Sequence, residues 1–309
     1  MSFKELVDKK KRSGGTLRHW RTTRRKIHDF IIFKFELDDI PLVDIKESFA
    51  EHFYDYLTVS VPESLAENTA LKHVSKAKQI LKRAKKKKLI KENPIGEFSC
   101  YCQDPEVEPL EIYEVDKIYR KSLPIQRLDQ ARDGFIFQCF TGFAFQDIRD
   151  LLTLDHIIHV GVNGERWLIK KRGKTDVFEM VPILPIIEEL IKKYENHPCR
   201  ILHTRLIPIF SNANYNGYLK EIAAICGINR ELKTHLARHT FADIIINVLG
   251  MDLEDLMRML GHKNIRTTQR YVKIRKIRIS RNIGKTMKIL FDKHGKLKPI
   301  KADYDRKVA

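Results

Sequence analysis

In the stretch THLARHTFA, His235 and Arg238 stand three apart, which puts both on one face of a helix. In MLGHKNIRTTQRYVKI, His262 comes nine residues before Tyr271. In KKRGKT, Arg172 and Lys174 are two apart and share a face wherever the backbone is extended. A guanidinium fork matches a phosphate and stays charged. An imidazole can take or give a proton, and a tyrosine becomes a nucleophile once its own proton is taken. Each pattern is common by itself. In this order they describe a site for attack on a phosphodiester, with Arg and His donors around the phosphate and Tyr271 as the attacking group. A phenol of pKa ~10 needs cationic neighbours or a base to act near neutrality.

Other elements must hold these residues in place. Gly261 marks a helix end, and Asn264 can cap a following helix that carries Tyr271 on its second turn. Short strands are expected at residues 154–160, 166–171 and 176–183, with a turn signal at Gly161, Asn163 and Gly164 and RGK between the second and third. Helices are expected at 111–122 and 129–140, and again from Pro185 with breaks at His197-Pro198, Gly227 and Gly250. The N-terminal third reads as three helices. Thr16 can cap the first, with Leu17, Trp20, Ile27 and Ile31 at helical spacing. Asp44 and Glu47 make a capping-box pair before Ile45, Phe49, Phe53 and Leu57. The third starts near Asn68 or Thr69, runs through Leu71, Val74, Ala77, Ile80, Leu81 and Ala84, and stops by KENP, where Pro94 disfavours helix. The fold class is therefore mainly α with a small antiparallel sheet. A helical domain over 1–107 precedes a mixed domain over 108–309, whose basic tail begins near 272.

Composition narrows the partner. The 309 residues carry 58 Lys and Arg against 40 Asp and Glu, a formal net charge of +18, while 43% hydrophobic content is enough to build cores. The charges are segregated: residues 9–26 hold nine bases and no acid, 69–91 hold ten bases and no acid, and 29–67 hold ten acids against two bases. Strips of like charge repel unless a polyanion neutralises them, and a nucleic-acid backbone does so while releasing counterions. Lys72, Lys76, Arg83, Lys86 and Lys87 on the third helix, with Arg21 and Arg25 on the first, are the candidate phosphate contacts. No run approaches 18 apolar residues, so a membrane span is not expected, and the first twelve residues lack a signal core. Five cysteines without metal-ligand spacing point to free thiols, no metal site and a reducing, cytoplasmic compartment, close to the nucleoid.

The ordered set ARDGFIFQCFTGF, THLARHTF and LGHKNIRTTQRYV resembles the tyrosine recombinase (phage integrase) family. DIPL and ENPI resemble the core-binding domain of integrases from conjugative transposons and other mobile elements, and the likeness runs from about Thr16 to about Leu290. The resemblance implies a C-shaped DNA clamp that cuts and rejoins strands through a 3′-phosphotyrosyl link at Tyr271. It implies Arg238 on the non-bridging oxygens, His235 as proton acceptor or donor, and His262 as a further donor to the phosphate. Lys174 would protonate the departing 5′-oxygen. It also implies no metal or nucleotide cofactor, double-stranded DNA as partner, and a homotetramer on two sites. The tail past Tyr271 would dock on a neighbouring protomer, and accessory DNA-bending proteins could assist. Residues 1–15 would be a remnant of an arm-binding domain.

One position departs from the family pattern. Where the first catalytic arginine follows TG and one apolar residue, this chain has Ala144. Either another cation replaces it or the site is impaired. Arg172 is the favoured substitute because Lys174 is its same-face neighbour, and Arg149 is expected to point elsewhere, about 140° around a helix from 144. A DNA-binding relative without catalysis and a type IB topoisomerase are the alternative readings.

Overall fold

The computed structural model describes Asp8 and residues 14–104, 106–159 and 164–298. In the N-terminal part, helix α1 (Gly14–Phe35) and α3 (Glu67–Lys86) flank the shorter α2 (Phe49–Asp55), whose last turn widens over Tyr56–Ser60. Phe30, Phe49, Phe53 and Leu57 meet Val74, Ala77 and Leu81 in one core, with Phe30 edge-on to Phe49 at 5.1 Å. Fully burying one such side chain contributes about 1.5–3 kcal/mol. Three details differ from the sequence reading. Thr16 lies inside α1 rather than capping it, and α2 begins at Phe49 because Leu42–Asp44 form a separate 3₁₀ turn. On α3 the buried line is Ala70, Val74, Ala77, Leu81 and Ala84, so Ile80 is left 43% exposed.

A polar contact ties α1 to α3. His73 is buried, its Nδ1 is 2.8 Å from the Thr23 hydroxyl, and that hydroxyl donates to the His19 carbonyl at 3.0 Å. Lys76 donates to the same hydroxyl and carbonyl at 3.2 and 3.3 Å, with its ammonium 6.0 Å from the Trp20 ring.

The chain divides into two compact units, Met1–Pro105 and Glu106–Ala309. In the second, α4 (Ile112–Arg120) opens on a capping box between Glu111 and Glu114, where 111–122 was expected. The long α5 (Gln126–Thr141) is buried on nearly all sides and ends at Gly142, in the left-handed region at φ 66°. A wide π-helical turn at Asp147–Leu151 follows, then a 3₁₀ turn at Leu154–His156. The sheet is β1 (Ile157–His159), β2 (Arg166–Lys171) and β3 (Phe178–Pro182), antiparallel in that order. The expected turn at Gly161 and Asn163 lies outside the described residues, and Gly164 has φ 76°.

Among the described residues, seven helices and a wide turn complete the unit. They are α6 (Pro185–Lys193), the single turn α7 (Pro198–Ile201), α8 (Asn212–Ile225) and α9 (Thr234–Asp243), which widens over Ile244–Val248. Then come α10 (Leu253–Met259), the short α11 (Ile265–Gln269) and α12 (Lys276–Leu290). The core gathers α5, α8, α9 and one face of the sheet around Phe135, Phe143, Leu168, Val181, Phe241 and Leu260. Among the described residues no helix is long and apolar enough to cross a membrane, and all five cysteines are free thiols.

Burial first, then the Lys76 and Lys26 charges, push His73 down to about 4. It therefore binds a proton more readily in the unfolded chain, where its ordinary value is 6.5. Its contribution is complete above about pH 6.5 and is lost as pH falls towards 4. Denaturant titration of the full chain at about pH 7.5 and about pH 5 is expected to give the N-terminal helices a lower midpoint at the acid value, and His73→Gln is expected to narrow that gap.

Candidate active site

Inward-facing positions of the sheet normally hold apolar side chains. Leu168 and Val181 obey, but the next inward pair in register, Lys170 and Glu179, is charged and buried. Lys170 Nζ lies 2.6 Å from Glu179, 3.2 Å from Asp147 and 4.9 Å from the Phe143 ring. Two arginines share the same carboxylate. Glu179 Oε1 is 3.5 Å from Arg238 Nη1 and 3.6 Å from Arg172 Nε. Burial pushes the Glu179 carboxyl upward, and the Lys170 and Arg238 charges oppose that push.

Arg238 is buried in α9, where its guanidinium closes on backbone. Nη1 donates to the Gly142 carbonyl, and Nη2 donates to the Leu260 carbonyl at 2.6 Å and lies 3.1 Å from His262 Nε2. The Nε atoms of Arg238 and Arg172 are buried with no hydrogen-bond partner among the described residues. Gly142 is required here twice over. Its φ is positive, and a Cβ would sit 2.3 Å from the Phe241 ring.

Tyr271 follows α11 rather than riding on its second turn, because the helix ends at Gln269 and the Tyr271 N–H closes a turn onto the Thr268 carbonyl at 2.9 Å. Asn264 does cap α11, accepting from the Arg266 N–H. Around the phenol ring stand His239 at 4.5 Å, His262 at 5.5 Å and His235 at 5.6 Å between centroids, and the Arg238 Cζ lies 5.7 Å from it. His262 is buried. Its Nδ1 meets the Thr268 hydroxyl at 2.9 Å, and burial followed by the Arg238 and Arg172 charges pushes it down to about 3. It is therefore neutral, accepts from Arg238 on Nε2 and donates to Thr268 from Nδ1. His235 opens onto a cleft. Burial of part of its ring, then the Arg238 charge, lowers its pKa.

That cleft, about 450 Å³, is lined by Arg172, Lys174, His235, Arg238 and Tyr271, together with Ala144 and Arg149. The geometry thus brings five of the six candidate residues onto one cavity, with His262 behind Arg238. Two expectations are corrected. Arg149 does face the cleft, because Asp147–Leu151 is a π-helical turn to which the 100° step of an α-helix does not apply, and its guanidinium lies 5.7 Å from the Phe145 ring. Arg172 and Lys174 do not share the face of an extended strand: β2 ends at Lys171, and a turn closed by Arg172 and Asp176 sends Arg172 inward and leaves Lys174 exposed. None of Asp147, Lys170 and Glu179 is singled out in the sequence analysis. For Lys170 and Glu179 the signal was available, since each lies two residues from an apolar inward position on its own strand.

In the first unit Lys72, Arg83, Lys86, Lys87, Arg21 and Arg25 are exposed. Lys76 is the exception, held against α1 by the contacts with Thr23 and His19.

Two family models match the chain, the phage integrase SAM-like domain over residues 2–100 and the phage integrase family over residues 141–278. The chain belongs to the phage integrase family of tyrosine recombinases. It is 31% identical over 154 residues to the tyrosine recombinase XerD of Lacticaseibacillus casei, covering 45% of this chain and 50% of the relative. To the tyrosine recombinase XerC of Rickettsia prowazekii it is 33% identical over 112 residues, 33% of this chain and 36% of the relative. The matches to these two curated relatives thus span half of their length or less. The fold of this integrase-family chain is also similar to that of lambda integrase residues 75–356, solved as a dimer bound to a COC′ core site. The TM-score there is 0.66 at 16% identity, over 89% of this chain and 94% of that one. The Tn1549 transposon integrase in complex with transposon right end DNA gives 0.64 at 15%, over 92% and 97%.

Gly142→Ala is expected to destabilise the second unit by about 2–5 kcal/mol, the sum of a left-handed alanine and an overpacked core. Denaturant midpoints of parent and variant measure it, and a change under 1 kcal/mol (of the order of an ordinary surface substitution) would contradict the stated packing.

Proposed function

We propose that the chain is a site-specific DNA recombinase that cuts and rejoins strands through a phosphotyrosyl intermediate at Tyr271. The observation that carries this reading is the convergence on one cleft of Arg172, Lys174, His235, Arg238 and Tyr271, drawn from three separate parts of the sequence. The phosphate is held by Arg238 and Arg172, which both line the cleft and whose guanidinium groups suit its non-bridging oxygens. His262 keeps Arg238 in place. In the forward step the Tyr271 oxygen forms a bond to phosphorus and its proton passes to His235. The bond from phosphorus to the 5′-oxygen breaks, and that oxygen takes a proton from Lys174. Rejoining reverses each transfer. The phosphotyrosine retains the energy of the broken bond, so the reaction needs no metal or nucleotide.

Arg172 stands in for the arginine missing at 144, supported from behind by Asp147 and Glu179. The first unit is the core-binding domain and grips phosphates with Arg21, Arg25, Lys72, Arg83, Lys86 and Lys87. Lys76 braces the helices instead. Double-stranded DNA is the partner, as it is for the integrases bound to core-site and transposon-end DNA. The active form is a tetramer on two sites, acting in the cytoplasm at the nucleoid, with accessory DNA-bending proteins where a site requires them. The half-exposed Ile279, Ile283 and Met287 of α12 are the face that docks on a neighbouring protomer. A binding-only relative is the second reading, favoured by Ala144 alone.

A nicked suicide duplex carrying the recombination site separates the two. A covalent protein–DNA band is expected with the parent and absent with Tyr271→Phe, and DNA retained on a native gel without any covalent band would decide for the binding-only reading. Arg172→Ala is expected to slow formation of the band about 10²–10³-fold, as for loss of one preorganised donor. Cleavage at the parental rate would remove Arg172 from the site.

A further inference from the structure

His239 lies one helical turn after His235, on the buried side of α9. Its Nε2 is 3.3 Å from the Nε2 of His235, the rings are nearly perpendicular at 86°, and its face rests against the Tyr271 ring at 32°. Burial first, then His235 and Arg238, push its pKa down to about 4, so at neutral pH it is uncharged, with one N–H and one lone pair. Two neutral imidazoles that meet nitrogen to nitrogen make a bond only if one donates and the other accepts. The direction of that bond sets which nitrogen of His235 is free for chemistry.

With Nε2 turned towards His239, Nδ1 is the nitrogen of His235 left for the cleft. Were His239 the donor, the proton of neutral His235 would sit on Nδ1, and neither nitrogen could take a proton from a phenol. With His239 as acceptor the lone pair is on Nδ1. The bond then strengthens as His235 becomes cationic, because a charged donor makes the stronger hydrogen bond. We propose that His239 is a positioning residue, which accepts the Nε2 proton of His235 and so holds it in the tautomer whose Nδ1 receives the Tyr271 proton. This deepens the recombinase reading and rests on it. The balance is simple: the Tyr271 O–H bond breaks, an Nδ1–H bond forms on His235, and the Nε2–H bond persists throughout. The groups that face the pair are Arg238, Tyr271 and, across the phenol, His262.

Two measurements test the assignment. Long-range proton–nitrogen correlation spectra of the full chain labelled in its histidines, with signals assigned through His235→Gln and His239→Gln, report the tautomer directly and need no activity. The expected result is His235 protonated on Nε2 in the parent and a mixture of tautomers in His239→Leu. A parent spectrum with His235 protonated on Nδ1 overturns the proposal. Cleavage of the suicide duplex across a pH series gives the second readout. His239→Gln, whose amide oxygen can still accept, is expected to keep the rate within about threefold, while His239→Leu loses at least about tenfold. Equal rates for the two variants overturn the positioning role. Absence of any covalent band from the parent would instead overturn the recombinase reading, and the spectra would still report the tautomer.

Discussion

Glu179 is the group on which the rest of the site depends. A strand pairing places it directly opposite Lys170, and its oxygens hold Lys170 on one side and Arg172 and Arg238 on the other. Buried guanidinium groups are costly to desolvate, and removing one partner from a buried ion pair costs about 3–5 kcal/mol. Asp147 and Glu179 make the cationic floor of the cleft foldable. Three cations against two carboxylates still leave one positive charge there, and Lys174 adds another at the rim. In the proposed reaction a phosphodiester in the cleft would complete the neutralisation that the protein leaves unfinished.

That positive floor also governs the imidazoles. A proton on His262 or His239 would lie beside Arg238 in a buried setting, so both stay neutral across the physiological range. Neutral rings can act as acceptors, and this is how His262 fixes Arg238. Tyr271, the proposed nucleophile, is held by backbone contacts on both sides of its position. Before it, the Tyr271 N–H bonds to Thr268. After it, Asn247 donates to the Lys273 carbonyl and accepts from the Arg275 N–H. Arg275 is in turn ion-paired with Asp243 and Glu111. Position is therefore imposed on Tyr271 by the wide turn after α9 as much as by α11.

Much of this was legible in the sequence, for physical reasons. The helical spacing of His235 and Arg238, the Asn264 cap and the Gly261 terminus are local signals, and local signals survive into the fold. Strand β2 was legible to the residue, whereas β1 is shortened because Leu154–His156 take a 3₁₀ turn instead. What escaped was set by register and by wide turns. Glu179 acquires its role only when β3 pairs with β2, and Arg149 reaches the cleft only because Asp147–Leu151 does not keep α-helical pitch. Lys76 looked like its exposed neighbours on α3 until the packing of α1 supplied acceptors for it.

Ala144 illustrates the same distinction at the level of chemistry. A catalytic cation is defined by a place in space and by the carboxylate that supports it, and a position number secures neither. Ala144 lines the cleft but brings no charge to it. Arg172, 28 residues further along, reaches the same cavity from the hairpin. It finds there the two carboxylates that an arginine in this apolar surrounding requires. Arg149 reaches the cavity from the π-helical turn and lies over the Phe145 ring. Asp147 and Glu179 are fixed by the turn and the sheet, and together they hold the guanidinium that comes from the hairpin. In the proposed reading, the carboxylates that Arg172 meets, and not its place in the chain, are what let it serve where Ala144 cannot.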